Sequence, residues 1–164
     1  MPAAPVPDVP DDVEVNIPAL MRWARGSYGN AVRRSLAIAG YEDLPRNGAF
    51  VIGGMARLGG SAADMIRGLG VTKQAASQLI DTLVLRGYLT REVDAEDRRR
   101  MTISLTERGR AAAETVRGAV VSIDAELEAA ITPAELAGMR AGLQALAEIN
   151  RRQSEHEHYH HHDD

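Results

Sequence analysis

The chain has 164 residues, enough for one ordinary domain or a small domain with an appended dimerisation element. Aromatics make up only 4% while alanine is abundant, which favours closely packed helices over a β-sandwich; no apolar run reaches membrane-span length and no basic-then-apolar leader opens the chain, so a cytoplasmic protein is expected. The absence of cysteine excludes a disulfide framework, a thiolate metal site and a thiol redox sensor, and the net charge of −4 is unevenly spread, with carboxylates in excess over residues 1–16 and 101–164 and cations in excess from 17 to 100.

Residues 1–16 are rich in Pro, Asp and Val without a sustained period and are expected to form a disordered or extended arm. From Ile17, the stripe Leu20, Met21, Ala24, Tyr28, Ala31 and Val32 predicts a helix reaching Ile38 or Ala39. Gly26 and Gly29 weaken it by about 1 kcal/mol each relative to Ala, and suggest a close helix approach or a bend beside a cavity. Trp23, the only tryptophan, stands between Arg22 and Arg25. It reads either as a core residue between surface cations or as part of an anion pocket. Residues 40–47, with Leu44-Pro45, should connect to a second helix from Gly48 to Leu58 that presents Phe50, Val51, Met55 and Leu58. Gly59-Gly60 breaks that helix and leaves room for a minimal strand at most.

Ser61 followed by Asp64 resembles a capping box, so Ala62 to Gly68 is predicted as a short helix, with Leu69-Gly70-Val71 as a turn. Thr72 can cap the next helix and Gly87 can end it. Residues three and four apart sort this helix into two faces: Ala76, Leu79, Ile80, Leu83 and Val84 on one, Gln74, Ser77, Gln78 and Asp81 on the other. Lys73, Gln74, Ser77 and Gln78 thus lie in its first turns, where a recognition helix meets base edges, and amides and hydroxyls suit that task because they both donate and accept. An ordinary solvated face would show the same pattern. Leu89–Val93 and Met101–Leu105 alternate as half-buried strands do, and the loop between them contains Arg98-Arg99-Arg100. Three adjacent cations at a hairpin tip are better accounted for by an anionic partner than by water.

Recognition helix, strand, Asp-x-x-Asp-Arg-Arg, second strand and then Leu105-Thr-Glu-Arg-Gly109 resemble the MarR family of bacterial transcription regulators. The resemblance runs from about Ile17 to Asn150 and is tightest from Gly70 to Gly109. It implies a mainly α fold with a small β-hairpin wing, a winged helix-turn-helix plus a helical dimerisation region. It further implies that Arg99 enters the minor groove of double-stranded DNA with Asp97 orienting it, that the protein is a homodimer, and that a small aromatic or anionic effector binds near Arg22, Trp23 and Tyr28. Arg91, Arg98 and Arg100 are expected at phosphates.

After the wing, Thr106 should begin a long helix with Ala112, Val116, Ala119, Val120, Ile123, Leu127 and Ala130 on one side. Thr132-Pro-Ala-Glu135 combines a capping box with proline at the first helical position. In the last helix Leu136, Met139, Leu143, Leu146 and Asn150 form a short heptad-like seam. The expected organisation is an arm over 1–16, a dimerisation region over 17–44 and 106–150, a DNA-binding lobe over 45–105 and a disordered tail over 151–164. All five histidines lie in that tail, which has the composition either of a polar tail or of an adventitious Zn, Ni or Cu ligand, and the folded part has none for catalysis or a metal site. The expected function is a ligand-responsive DNA-binding repressor without a cofactor. A winged helix serving as a protein-interaction module is the alternative, although it predicts an apolar recognition surface and an uncharged wing. An enzyme is not expected, for want of a nucleophile–base pair or a phosphate-cradling glycine loop.

Overall fold

A computed structural model describes residues 16–59, 61–67, 69–93 and 101–160. The elements are α1 (Ile17–Ile38), α2 (Gly48–Leu58), α3 (Ala62–Arg67), α4 (Lys73–Leu85), β1 (Leu89–Val93), β2 (Met101–Leu105), α5 (Glu107–Ala130) and α6 (Pro133–His160). They fall into two compact units, residues 1–123 and 124–164. The fold is mainly helical with a hairpin wing, as the sequence predicts. Among the described residues the sheet consists of β1 and β2 alone, antiparallel, with Leu89 opposite Leu105 and Val93 opposite Met101. No helix of the described residues is long and apolar enough to cross a membrane.

The core of the first unit gathers one to three buried apolar residues from each of six elements: Leu36 of α1, Val51, Ile52 and Met55 of α2, Ala62 and Ile66 of α3, Leu83 of α4, Leu89 of β1, and Ala112 and Ala113 of α5. The helix boundaries follow from local chemistry. Asn16 accepts a hydrogen bond from the Ala19 amide at 3.0 Å and so caps α1. Ser61 and Asp64 cap each other across the start of α3, with Ser61 Oγ donating to Asp64 Oδ2 at 2.7 Å and Asp64 N donating to Ser61 Oγ at 3.2 Å. Gly26 and Gly29 do not interrupt α1. Apart from the helix's own backbone, no atom of the described residues lies within 4 Å of a Cβ built at Gly26, and at Gly29 the neighbour is Arg33 Nη1 at 3.6 Å, so the described residues make no close helix approach there.

Two helices of this unit end in the same way. At the end of α1, Gly40 takes φ 81°, its amide donates to Ala37 O, and the Tyr41 amide donates to Leu36 O at 2.8 Å. At the end of α4, Gly87 takes φ 73°, its amide donates to Val84 O, and the Tyr88 amide donates to Leu83 O at 2.9 Å. Both are Schellman motifs, in which a left-handed glycine turns the chain and the next residue folds back on the helix. Each motif delivers a tyrosine, and the two rings meet edge to face with centroids 6.2 Å apart.

Tyr88 is fully buried and its hydroxyl donates to Asp43 Oδ1 at 2.5 Å. Arg108, in the first turn of α5, donates through Nη2 to the same carboxylate oxygen at 2.9 Å and through Nη1 to the Arg86 carbonyl at 2.8 Å. Its guanidinium lies 4.5 Å from the centre of the Tyr88 ring, within cation–π range. Arg86 in turn donates to the Asp43 carbonyl. Thr106 ties the same place from its other side: its amide donates to Tyr88 O at 3.1 Å, its hydroxyl donates to Gly87 O at 2.5 Å, and that hydroxyl accepts from the Gly109 amide at 2.9 Å, capping α5. A Cβ at Gly109 would collide with the Tyr88 carbonyl, so α5 can approach only with glycine there. The stretch from Leu105 to Gly109 is thus a fastening between the α4–β1 turn and α5.

The second unit holds α6, begun by a full capping box: Thr132 N and Oγ1 donate to Glu135 Oε2 at 2.8 and 2.7 Å. These bonds, the backbone one first, hold the Glu135 carboxyl below its usual range. Met139, Leu143, Leu146 and Ile149 remain exposed along α6. Where the sequence suggested an end at Asn150 and a disordered tail beyond, the helix continues through His160. No glycine or proline intervenes, and the Arg151–Glu148 pair at 2.6 Å supports that turn.

Three consequences are measurable. Burial, and then the bond to Asp43, push the Tyr88 hydroxyl up from 10.0 to about 12, so its contribution to stability is fully present below pH 10 and is lost as pH rises through about 12. The loss should reach about 3 kcal/mol in urea titrations, at about 1.4 kcal/mol per pKa unit, and Tyr88→Phe should flatten it. The Tyr88 hydroxyl, aided by Arg108, holds Asp43 below its ordinary 3.8, so that contribution runs the other way, being present above pH 3.8 and lost as pH falls through the lowered value. Gly109→Ala should cost about 3 kcal/mol, since the backbone itself must move; an unchanged urea midpoint would contradict the close approach.

Candidate nucleic-acid interface

α4 begins at the hydroxyl of Thr72, which accepts from the Ala75 amide at 3.2 Å. Its inner side carries Leu83, fully buried, with Ala76, Leu79, Ile80 and Val84 packed against the core. The outer side carries Lys73, Gln74, Ser77, Gln78 and Asp81, all exposed. A helix locked by its apolar stripe presents these polar side chains in fixed order along one face, four of them in its first two turns. The Thr82 hydroxyl is held by the Gln78 carbonyl at 2.7 Å and is not available to a partner in that position.

The hairpin starts directly after the Schellman turn that ends α4, so the orientation of the wing follows from that of the helix. Leu89 is buried and Arg91, Glu92 and Val93 are exposed along β1. Arg91, expected at a phosphate, is ion-paired with Asp81 of α4. The pair ties the wing to the recognition helix across their outer surfaces. Asp97, Arg98, Arg99 and Arg100 lie outside the described residues; the segment that contains them joins the paired residues Val93 and Met101.

The expected effector residues are on α1. Arg22 and Arg25 are exposed, and Trp23 and Tyr28 are half-buried. Neither aromatic belongs to the core cluster of the first unit, so the reading of Trp23 as a core residue does not hold within the single chain. Adjacent helical positions point about 100° apart, so Arg22 and Trp23 do not share a face. Among the described residues no group of three or more His, Asp or Glu side chains gathers as a metal site needs.

Sequence reasoning missed the residues that position this surface. Asp43, Tyr88 and Arg108 hold the C-terminal end of α4 to the residues before α2 and to α5, over separations of up to 65 positions. Leu105 to Gly109 was the one visible signal, and nothing in it pointed to Asp43 as the shared acceptor.

Residues 43–100 match the sequence model described as the MarR family. No curated protein matches the chain. Among solved structures it resembles a complex of Staphylococcus aureus MepR with DNA, at 22% identity and TM-score 0.65, over 82% of this chain and 98% of that one. It resembles S. aureus MepR bound to ethidium bromide at 21% identity and TM-score 0.53, over 82% and 96% of the two chains. Wild-type apo MarR from Escherichia coli is similar at 20% identity and TM-score 0.57, over 82% and 98%. At such identities these likenesses establish the fold.

The cap at the N-terminal end of α4 can be tested directly. Thr72→Ala should lower stability by about 1 kcal/mol through the lost bond to Ala75, and Thr72→Ser should restore most of it. Equal midpoints for the three proteins in urea would show that this cap does not hold the helix.

Proposed function

We propose that this chain, whose residues 43–100 match the MarR family model, is a winged-helix regulator of that family and a ligand-responsive repressor that binds a pseudo-palindromic operator as a homodimer. The match over residues 43–100 supports a DNA-binding regulator rather than an enzyme. The observation that carries the finer reading is the exposed row Lys73, Gln74, Ser77 and Gln78 on a capped, core-anchored helix beside a hairpin whose connecting sequence holds three adjacent arginines. Gln side chains can pair bidentately with adenine in the major groove. Arg99 would enter the minor groove, with Asp97 orienting it, and Arg98 and Arg100 would meet phosphates.

Two faces support a homodimer. Ile17, Leu20 and Met21 are exposed along α1, and Met139, Leu143, Leu146 and Ile149 along α6. Apolar rows of this kind on two helices are what association of copies would cover. A twofold pair sets two recognition helices about 34–36 Å apart, in successive major grooves, and so requires a palindromic site. The effector is proposed to be a small aromatic or anionic molecule near Arg22, Trp23 and Tyr28, whose differential affinity for two dimer states would release the DNA. That S. aureus MepR has been seen with ethidium, a planar aromatic cation, supports the aromatic part of this class and not the anionic part.

Selection of bound sequences from random duplex DNA tests the reading. It should return an inverted repeat, which Arg99→Ala binds more weakly by about 1–3 kcal/mol with its thermal melting unchanged, while Gln78→Ala relaxes preference at particular base pairs. Recovery of no sequence pattern, or operator binding indifferent to Arg99, would remove sequence-specific repression through the wing.

A further inference from the structure

Asp81 is out of place on a surface that meets a polyanion. It lies one turn beyond Ser77 and Gln78 on the same exposed face of α4, and left alone its carboxylate would repel phosphate. It is not alone, because Arg91 reaches across from β1 to pair with it. The two side chains are 59% and 44% exposed, and an ion pair so open to water contributes little to folding. Its position is therefore more informative than its strength. The pair joins the helix placed to read bases to the wing, and it occupies the one cation that β1 supplies to this surface.

We propose that Asp81 is a specificity-determining residue: it holds Arg91 against the recognition helix and keeps that cation off the phosphates of DNA that is not the operator. The proposal rests on the DNA-binding reading. A cation free to find phosphate adds affinity that carries no base information, and it adds most to mixed-sequence DNA, where the helix can settle wherever Arg91 meets a phosphate, whereas on the operator the base contacts fix the helix in one register. Withholding one lowers the background affinity against which the operator is recognised, and leaves Gln74, Ser77 and Gln78 to supply the discrimination.

The test is the salt dependence of binding to a mixed-sequence duplex, measured by fluorescence anisotropy for the full chain and for Asp81→Asn, Arg91→Ala and the double variant. Circular dichroism establishes that each is folded, and Asp81→Ser serves as a second replacement. Freed Arg91 should add one phosphate contact, steepening the slope of log affinity against log salt by about 0.9 per lobe, or about 3.5-fold more loss per lobe across a fourfold rise in salt. Arg91→Ala alone should leave the slope of the unaltered chain almost unchanged, and the double variant should match Arg91→Ala. Operator preference, measured as the ratio of operator to mixed-sequence affinity, should fall in Asp81→Asn. Two results overturn the proposal: the same steepening in Asp81→Asn with or without Arg91, which would mean that Asp81 acts by its own charge, or a slope about 0.9 shallower in Arg91→Ala alone, which would mean that Arg91 already meets phosphate. If the unaltered chain binds duplex with a steep slope that Asp81→Asn leaves alone, only this inference falls; if it binds no duplex, the DNA-binding reading falls with it.

Discussion

The burial of Tyr88 beneath Arg108, with its hydroxyl on Asp43, is the constraint on which the lobe depends. A phenol can be taken out of water only if its hydroxyl keeps a partner, and the exposed carboxylate of Asp43 supplies one at the edge of the core. That single acceptor also takes the guanidinium that begins α5, while the same guanidinium covers the Tyr88 ring and binds the carbonyl of Arg86. Three stretches distant in the chain therefore meet at one tyrosine. Because Tyr88 is the residue immediately beyond the turn that ends α4, what is fixed there is the direction in which the recognition helix points.

The repetition of one turn on two helices gives this arrangement its economy. A left-handed glycine after α1 and another after α4 each place a tyrosine back against the structure, and the rings pack on one another. The helix that carries the proposed effector residues and the helix that carries the proposed base-reading residues end on a shared aromatic contact. Thr106 completes it by serving two elements with one side chain, binding the backbone of the α4 turn and capping α5. Polar side chains that would otherwise be neutral surface become structural at this point because each satisfies a backbone group left over by a helix end.

Much of this was legible from residue order. Strand limits at Leu89, Val93, Met101 and Leu105, the caps at Thr72, Ser61 and Thr132, and the polarity of α4 all follow from rules that act within one or two turns, and the structure agrees with them. What escaped was non-local or context-bound. Asp43 stands among connecting residues without period, and its significance lies wholly in partners 45 and 65 positions away. Arg91 read as a phosphate ligand because its charge is visible in sequence, whereas the nearness of Asp81 depends on how the hairpin leans on the helix. Trp23 left two readings open, core or anion pocket, and it lies outside the core cluster of its unit. The last helix ran past Asn150 because helix continuation needs only the absence of a breaker, a weaker signal than a cap.

The position of Arg108 has a consequence for how the protein is made. During synthesis α3, α4 and both strands leave the ribosome before the residues that fasten them, since Thr106, Arg108 and Gly109 follow the wing in the chain. Until that segment emerges, Tyr88 lacks the cation that covers its ring and Asp43 carries an unanswered charge. The winged helix is therefore not a detachable module in the way its compact outline suggests. A fragment cut cleanly at Leu105 would hold the residues proposed to touch DNA and lack Thr106, Arg108 and Gly109, so its fastening waits on the first turn of α5.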